Sequence, residues 1–398
     1  MATLENARKA PHYSNLPELK SLDDWHLIPL TSKTEIRSAG EDARVISGTP
    51  NYQFFSGGTT GKSFSYEASK TELDFIRSFF TEVASGLPKL RGIRISDGNQ
   101  PKERYVPVPI HFHHLGVYNP GVFSHALDLF CRKFTDLGIA TNCSVFAAGQ
   151  RVSRTFALWL KAHAPDNLPI NLDFVFTHGF YLTGFARSLL QEVFGCPTID
   201  RYGLSEVFGG ATECLNCGWY HFDPQVYAEA IDLQTRRPVE EGLALIVLTP
   251  LFPFQQRQPL LRYCTEDLAE VTFSQSCRPG ELSIKPHGRF AHSLVADSGK
   301  VILTEGELLE ILDSNETIER EKVLLDCIDA NQSWPIGRPK IEFKIDSNEG
   351  KCEVVFMVQG EQQRVNFVNY LVPQMRSMMD RYISDASREQ ATFVVANV

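Results

Sequence analysis

The sequence predicts an α/β fold, with a large N-terminal domain of mixed sheets and helices and a small α+β domain behind it. Three observations carry this. The 398 residues exceed what one ordinary core holds. Apolar stretches at helical spacing alternate with short β-branched or aromatic runs, and the patterning changes style after Gly288. Domains are therefore expected over residues 1–288 and 289–398.

The first fifty residues are polar and broken by Pro11, Pro17 and Pro29, so they read as a wrapping segment with a helical patch at 16–22. Over 71–86, Leu73, Phe75, Ile76, Phe79, Phe80 and Val83 recur on one helical face, which predicts an amphipathic helix after a glycine-rich turn. Further helices are expected at 123–137 and 185–194, and strands at 173–177 and 245–248. The C-terminal unit reads as a hairpin at 300–303, a helix at 305–312, strands at 341–345 and 352–358, and a long helix at 365–383.

Composition narrows the function. Lys+Arg 39 against Asp+Glu 48 gives a net charge of −9, without the basic footprint that nucleic-acid binding needs. A hydrophobic fraction of 43% with 22% charged residues specifies a folded chain. The most apolar run, 243–254, is too short to span a bilayer and contains Thr249 and two prolines. The first fifteen residues carry Glu5, Arg8 and Lys9 and no apolar stretch of the secretory type. Nine scattered cysteines, an odd number, suit reduced thiols. The expectation is a cytoplasmic enzyme with neither membrane nor nucleic acid among its partners.

The segment Ser56-Gly57-Gly58-Thr59-Thr60-Gly61-Lys62 follows an aromatic, strand-like run and precedes a helix. Glycines let backbone N–H groups approach phosphates closely, and the hydroxyls add donors, so a polyphosphate ligand is implied. The P-loop pattern fails at Ser56, where it requires glycine. Lys62 is the expected carrier of phosphate charge.

Downstream come Asp200-Arg201-Tyr202-Gly203-Leu204-Ser205-Glu206 and Pro259-Leu260-Leu261-Arg262-Tyr263-Cys264-Thr265-Glu266-Asp267-Leu268. With residues 56–62 and Ile28-Pro29-Leu30-Thr31-Ser32-Lys33, in this order, the set resembles the adenylate-forming ligase superfamily, specifically its phenylacetate–CoA ligase and coenzyme F390 synthetase branch. The likeness reaches from about residue 28 to 312. It implies that ATP with Mg²⁺ activates a carboxylic acid, aromatic or acyl, as an acyl-adenylate, and that the acyl group passes to an acceptor, CoA by default. By resemblance, residues 56–62 hold phosphates, Gly179, Asp200, Arg201, Tyr202 and Gly203 lie around the nucleotide, Glu206 helps hold Mg²⁺, Asp267 grips the ribose and Arg289 stands at the domain junction. The resembled family shows Gly-Ala-Glu where this chain has His178-Gly179-Phe180.

His111 and His113 alternate with apolar residues as on a strand, so they read as a half-buried face and not as metal ligands. The resemblance makes Phe112, His113, Tyr118 and Phe123 candidate walls of the acid pocket. Cys214, Cys217 and His221 form a C-x2-C-x3-H knuckle that, with Cys277, can close a tetrahedral structural zinc site; the alternative is buried thiols beside a loop histidine, and Cys264 is a weaker fourth ligand. The resembled family ends on a Gly-Lys loop, whereas the last lysine here is Lys351, and Ala291-His292 replace its hinge Asp-Asp pair. The small domain thus reads as truncated, which leaves room for a CoA-independent ligase, an acyl-protein synthetase acting on an acceptor protein, or a nucleotide-binding scaffold without catalysis. A homodimer is the expected assembly if the chain self-associates.

Overall fold

The structure is a computed structural model that describes residues 1–48, 52–55, 65–96, 109–117, 121–164, 170–295, 299–313, 341–346, 351–358 and 391–397. The N-terminal segment carries α1 (Ala2–Ala7), 3-10 turns at Pro11–Tyr13 and Leu22–Leu27, α2 (Lys33–Ser38) and α3 (Glu41–Arg44). It does wrap the body of the fold: Leu4, Ala7, Ala10, Tyr13 and Ile28 pack with Leu261. The helical patch expected at 16–22 is absent. Pro17 lies in an irregular stretch, and the turn starts only at Leu22, after Ser21, whose hydroxyl accepts from the Asp23 N–H.

Next come β1 (Tyr52–Phe55) and β2 (Ser65–Ala68), an antiparallel pair, and then α4 (Lys70–Val83). The glycine-rich segment is thus followed by a strand, and the expected helix starts only after it. The main sheet begins with β3 (Leu90–Ser96), β4 (Ile110–Gly116), α5 (Val122–Cys131), β5 (Cys143–Gly149), α6 (Gln150–His163), β6 (Phe174–His178), α7 (Gly184–Phe194) and β7 (Thr198–Gly203). It continues through β8 (Gly210–Glu213), β9 (Tyr220–Phe222), β10 (Val226–Ile231), β11 (Glu241–Pro250), β12 (Tyr263–Thr272) and β13 (Ser283–Arg289). The helix expected at 123–137 stops at Cys131 because Arg132 turns extended, with ψ 142°. The sequence reading missed α6, whose apolar period is diluted by Ser153, Arg154 and Thr155, all buried.

Eleven strands form one sheet in the order β10-β11-β12-β13-β9-β8-β7-β6-β5-β3-β4. From β4 to β7 neighbours run parallel, and from β7 to β10 antiparallel. Among the described residues the two largest hydrophobic clusters lie under the parallel half, where Phe123, Phe130, Phe146 and Phe156 pack with α5, α6 and α7 residues, and along the antiparallel half around Ile246, Leu248, Leu260 and Ile284.

Beyond β13 lie β14 (Leu294–Val295), β15 (Val301–Leu303) and α8 (Glu305–Leu312), the hairpin and helix expected there. Thr304 caps α8 by accepting from the Glu307 N–H, and α8 packs on β13. A separate sheet holds β16 (Ile341–Asp346), β17 (Lys351–Val358) and β18 (Ala391–Asn397), with β16 antiparallel and β18 parallel to β17. Two of these strands were expected and β18 was not; the helix expected at 365–383 lies outside the described residues. Among the described residues no helix is long and apolar enough to cross a membrane.

Candidate active site

The last parallel strand and the antiparallel strand β12 meet through side chains. On a flat sheet β7 and β12, four places apart, would lie about 19 Å from each other. Yet the Tyr202 hydroxyl donates to Asp267 Oδ2 over 2.8 Å, so the antiparallel half curls back over the end of β7. Bulges at Leu245/Val247 and Leu268/Ala269 break the register there. Close backbone contact at β7–β8 requires Gly210, where a Cβ would sit 2.2 Å from the Tyr202 carbonyl oxygen.

Asp267 is 7% exposed and held from both sides. Arg289 Nε, opposite it in the β12–β13 register, lies 2.9 Å from Oδ1. The Arg289 guanidinium also donates to the Thr265 carbonyl at 3.2 Å, and its backbone N–H donates to Glu305 Oε2 at 2.6 Å. Burial pushes the Asp267 carboxyl up to about 6, although Arg289 and the Tyr202 hydrogen bond pull it down. The same burial, with the neighbouring carboxylate, pushes the Tyr202 hydroxyl well up. Asp267 is thus a buried acceptor placed among donors.

Glu206 lies in the turn after β7, its side chain 5% exposed, with Lys33 Nζ 2.8 Å from Oε1. The turn is held by Gln255, which accepts from the Phe208 N–H at 2.9 Å and donates to the carbonyls of Glu206 at 3.2 Å and Gln258 at 2.8 Å. Gln258 Oε1 in turn accepts from the Glu67 N–H on β2 at 2.9 Å. One chain of hydrogen bonds therefore joins Glu206 to the strand that follows the glycine-rich segment. Ser56, Gly57, Gly58, Thr59, Thr60, Gly61 and Lys62 themselves lie outside the described residues. Their flanks are held together, Phe55 pairing with Ser65.

The other expected nucleotide residues divide. Gly179 follows β6 with φ 97° and open space where a Cβ would stand, beside His178, whose imidazole burial, with Arg94 and Arg201 near, pushes down to about 4. Arg201 donates to Thr212 and Asp223. Gly203 ends β7 with the Gly209 carbonyl 3.7 Å from where its Cβ would stand. Asp200 is a core node: Thr177 at 2.6 Å, Gln150 at 3.0 Å and Tyr220 at 2.9 Å all donate to its carboxylate.

The expected acid-pocket walls do not converge on Asp267. Phe112 and His113 lie on β4, the edge strand four places from β7. The His113 ring stacks on Phe134 at 4.8 Å and its Nε2 stands 3.2 Å from Arg91 Nη1, which keeps it in a side-chain cluster of its own. Phe123 is 2% exposed and packs against Phe156 and Trp159 in the core. Tyr118 lies outside the described residues.

The cysteine knuckle assembles. Ligand atoms of Cys214, Cys217, His221 and Cys277 all lie within 4.8 Å of one another. The Gly218 N–H donates to the Cys214 carbonyl at 2.8 Å and the Cys214 N–H to that of Trp219 at 2.9 Å, which closes the turn. His221 Nδ1 meets Ser283 Oγ at 3.0 Å and its Nε2 faces Cys217 at 3.4 Å, an orientation that suits a metal-ligating histidine. Cys264 is elsewhere, buried on β12 with Arg236 Nη1 4.0 Å from its sulfur.

Sequence reasoning missed Gln255 and Gln258 as parts of this site, and it read Lys33 and Thr265 only as parts of motifs. Lys33 had one signal, its place after the Ser32 cap; the glutamines had none, since only the folded chain brings them to Glu206.

No protein-family model and no curated protein matches the sequence. Among solved structures the chain is similar to a 2-hydroxyisobutyryl-CoA ligase in an open conformation with 2-HIB-AMP and CoA, at TM-score 0.70 and 12% identity over 99% of this chain and 85% of that one. The same ligase in the postadenylation state with 2-HIB-AMP gives 0.68 at 13% identity over 99% and 83%. ATP-bound MatB from Rhodopseudomonas palustris gives 0.53 at 13% identity over 91% and 68%. The curled sheet and the residues gathered at its switch from parallel to antiparallel thus belong to a chain that shares the fold of the adenylate-forming ligases.

Proposed function

We propose that this protein is an ATP-dependent ligase that joins a carboxylic acid to CoA through an acyl-adenylate, in the manner of phenylacetate–CoA ligases. One observation carries the reading: the buried Asp267 carboxylate, clasped by Tyr202 and Arg289, sits at the curl of a sheet shared with ligases bound to acyl-AMP, CoA or ATP. In this reading Asp267 accepts from the ribose hydroxyls, work that an acceptor-only side chain does well. Residues 56–62 hold the phosphates, with Lys62 adding charge, and Gly179, Asp200, Arg201, Tyr202 and Gly203 form the surrounding turn, Asp200 from beneath. Phe112 and Tyr118 are proposed for the acid side; Phe123, packed on Phe156 and Trp159 in the core, and His113, held by Phe134 and Arg91, are not.

Mg²⁺ fits Glu206, a hard oxygen donor of which Lys33 takes one oxygen; bound there, it would offset phosphate charge. Zinc fits the Cys214, Cys217, His221 and Cys277 cluster as a closed Cys3His structural site linking the β8–β9 turn to the β12–β13 connection. The division into an adenylation domain over 1–288 and a small domain over 289–398 belongs to the same proposal.

The test is acid-dependent exchange of pyrophosphate into ATP over a panel of aromatic and aliphatic acids, followed by thioester formation with CoA. Exchange with any acid supports activation, and CoA thioester supports the acceptor. ATP binding without exchange across the panel would instead favour a scaffold.

A further inference from the structure

We infer that Lys33 is a phosphate-contacting residue: its ammonium, stationed on Glu206, donates to an α-phosphate oxygen of the bound nucleotide. This rests on the acyl-adenylate reading and adds to it a cation from the N-terminal segment.

Glu206 is nearly buried, and among the described residues Lys33 is the charged side chain that it meets, at 2.8 Å. A buried ion pair is weak evidence for stability, so the pair calls for another explanation. Glu206 Oε1 is buried with no hydrogen-bond partner among the described residues, so the contact is an ion pair that leaves the ammonium's three N–H donors unspent. Lys33 keeps 20% of its side-chain surface exposed, so the side chain is open to a ligand on one side.

The backbone fixes where Lys33 stands. The Thr31 N–H donates to the Arg262 carbonyl and the Cys264 N–H to that of Thr31, both at 2.9 Å, a parallel bridge onto the start of β12. Ser32 then accepts from the Glu35 N–H at 3.1 Å and closes the first turn of α2. Lys33 is therefore tied, two residues away, to the strand that bears Asp267, and less of its position has to be ordered when a ligand arrives.

Charge completes the argument. Glu206 and Asp267 are close enough to repel one another, and a polyphosphate entering beside two carboxylates meets opposing charge. Each carboxylate carries its own cation: Arg289 on Asp267 at 2.9 Å and Lys33 on Glu206 at 2.8 Å. Lysine is a compact charge on a flexible stem, suited to following a phosphate as it reacts. In the adenylation step a carboxylate oxygen of the acid attacks the α-phosphorus, that P–O bond forms as the bond to the bridging oxygen breaks, and pyrophosphate leaves. Lys33 keeps its proton throughout and neutralises charge on the α-phosphoryl oxygens.

The experiment compares the affinities of adenosine, AMP and ATP for the wild-type chain, Lys33→Met, Lys33→Arg and the double variant Lys33→Met/Glu206→Gln, with thermal melts to establish folding. Lys33→Met is expected to weaken AMP and ATP by about ten- to a hundredfold and to leave adenosine within about twofold. Lys33→Arg should recover part of the loss, and the double variant should stay weak. Unchanged AMP affinity in Lys33→Met, equal loss for all three ligands, or full recovery in the double variant would overturn the inference. The last would mean that Lys33 only masks Glu206. The two readings separate. Selective loss of AMP binding by Lys33→Met, with no wild-type exchange on any acid, keeps Lys33 and rejects the ligase, whereas wild-type exchange with unaltered Lys33→Met does the reverse. A wild-type chain that binds neither AMP nor ATP rejects both.

Discussion

Asp267, the proposed ribose acceptor, is the residue whose ionisation would link stability to nucleotide binding. Its carboxyl lies at about 6 in the folded chain against 3.8 ordinarily, with burial the main cause. Between those values the folded state keeps a proton that the unfolded state has released, so this group's contribution is full below about pH 4 and is lost as pH rises through about 6. Denaturant melts should show the wild type losing up to about 3 kcal/mol relative to Asp267→Asn over that interval. Under the proposed function binding runs the other way, because accepting ribose hydroxyls would take the ionised form; adenosine affinity should rise with pH through about 6 and be flat in Asp267→Asn. Tyr202→Phe removes a hydrogen bond that favours the carboxylate, so the midpoint of that titration should move up. Asp267 and Glu206 could be nominated from sequence as carboxylates within recognisable motifs. Their partners Tyr202, Arg289 and Lys33 could not be paired with them, because the pairings span 65, 22 and 173 residues of chain, differences of the residue numbers in the contacts.

At the scale of elements, the junction of β7 and β8 has no room for a side chain. Gly210→Ala would bring a Cβ within 2.2 Å of the Tyr202 carbonyl, and the strands would have to part. A cost of about 3 kcal/mol is expected by chemical denaturation, together with weaker nucleotide binding, since Tyr202 would move away from Asp267. Gln255→Leu should act similarly, because it strands the Phe208 N–H and the Glu206 carbonyl in a buried turn; about 2 kcal/mol is expected. Elements with a clean period were legible: α4, α7 and α8 lie where apolar spacing placed them. Helix α6 was not, since its buried face includes Arg154, whose guanidinium meets Asp313, and tertiary partners rather than hydrophobicity account for that burial.

At the scale of the molecule, the cysteine cluster brings the β8–β9 turn against the connection between β12 and β13, and the proposed zinc would tie the two together. Purified protein should carry one zinc per chain by metal analysis, and a chelator should lower the melting temperature by about 5 °C; Cys217→Ser should abolish the metal and reproduce the shift. What sequence alone determined was local: the α/β alternation, the principal helices, the C-x2-C-x3-H knuckle and the carboxylates worth naming. Each depends on residues a few positions apart, whose periodicity and spacing act before the chain is folded. The tertiary structure decided which of them meet. It put Phe123 in the core and His113 on a distant edge strand, brought Cys277 and not Cys264 to the knuckle, and set Lys33 on Glu206. Those outcomes depend on strand order and on the curl that brings β12 back over β7, and both arise from long-range pairing that no local pattern encodes.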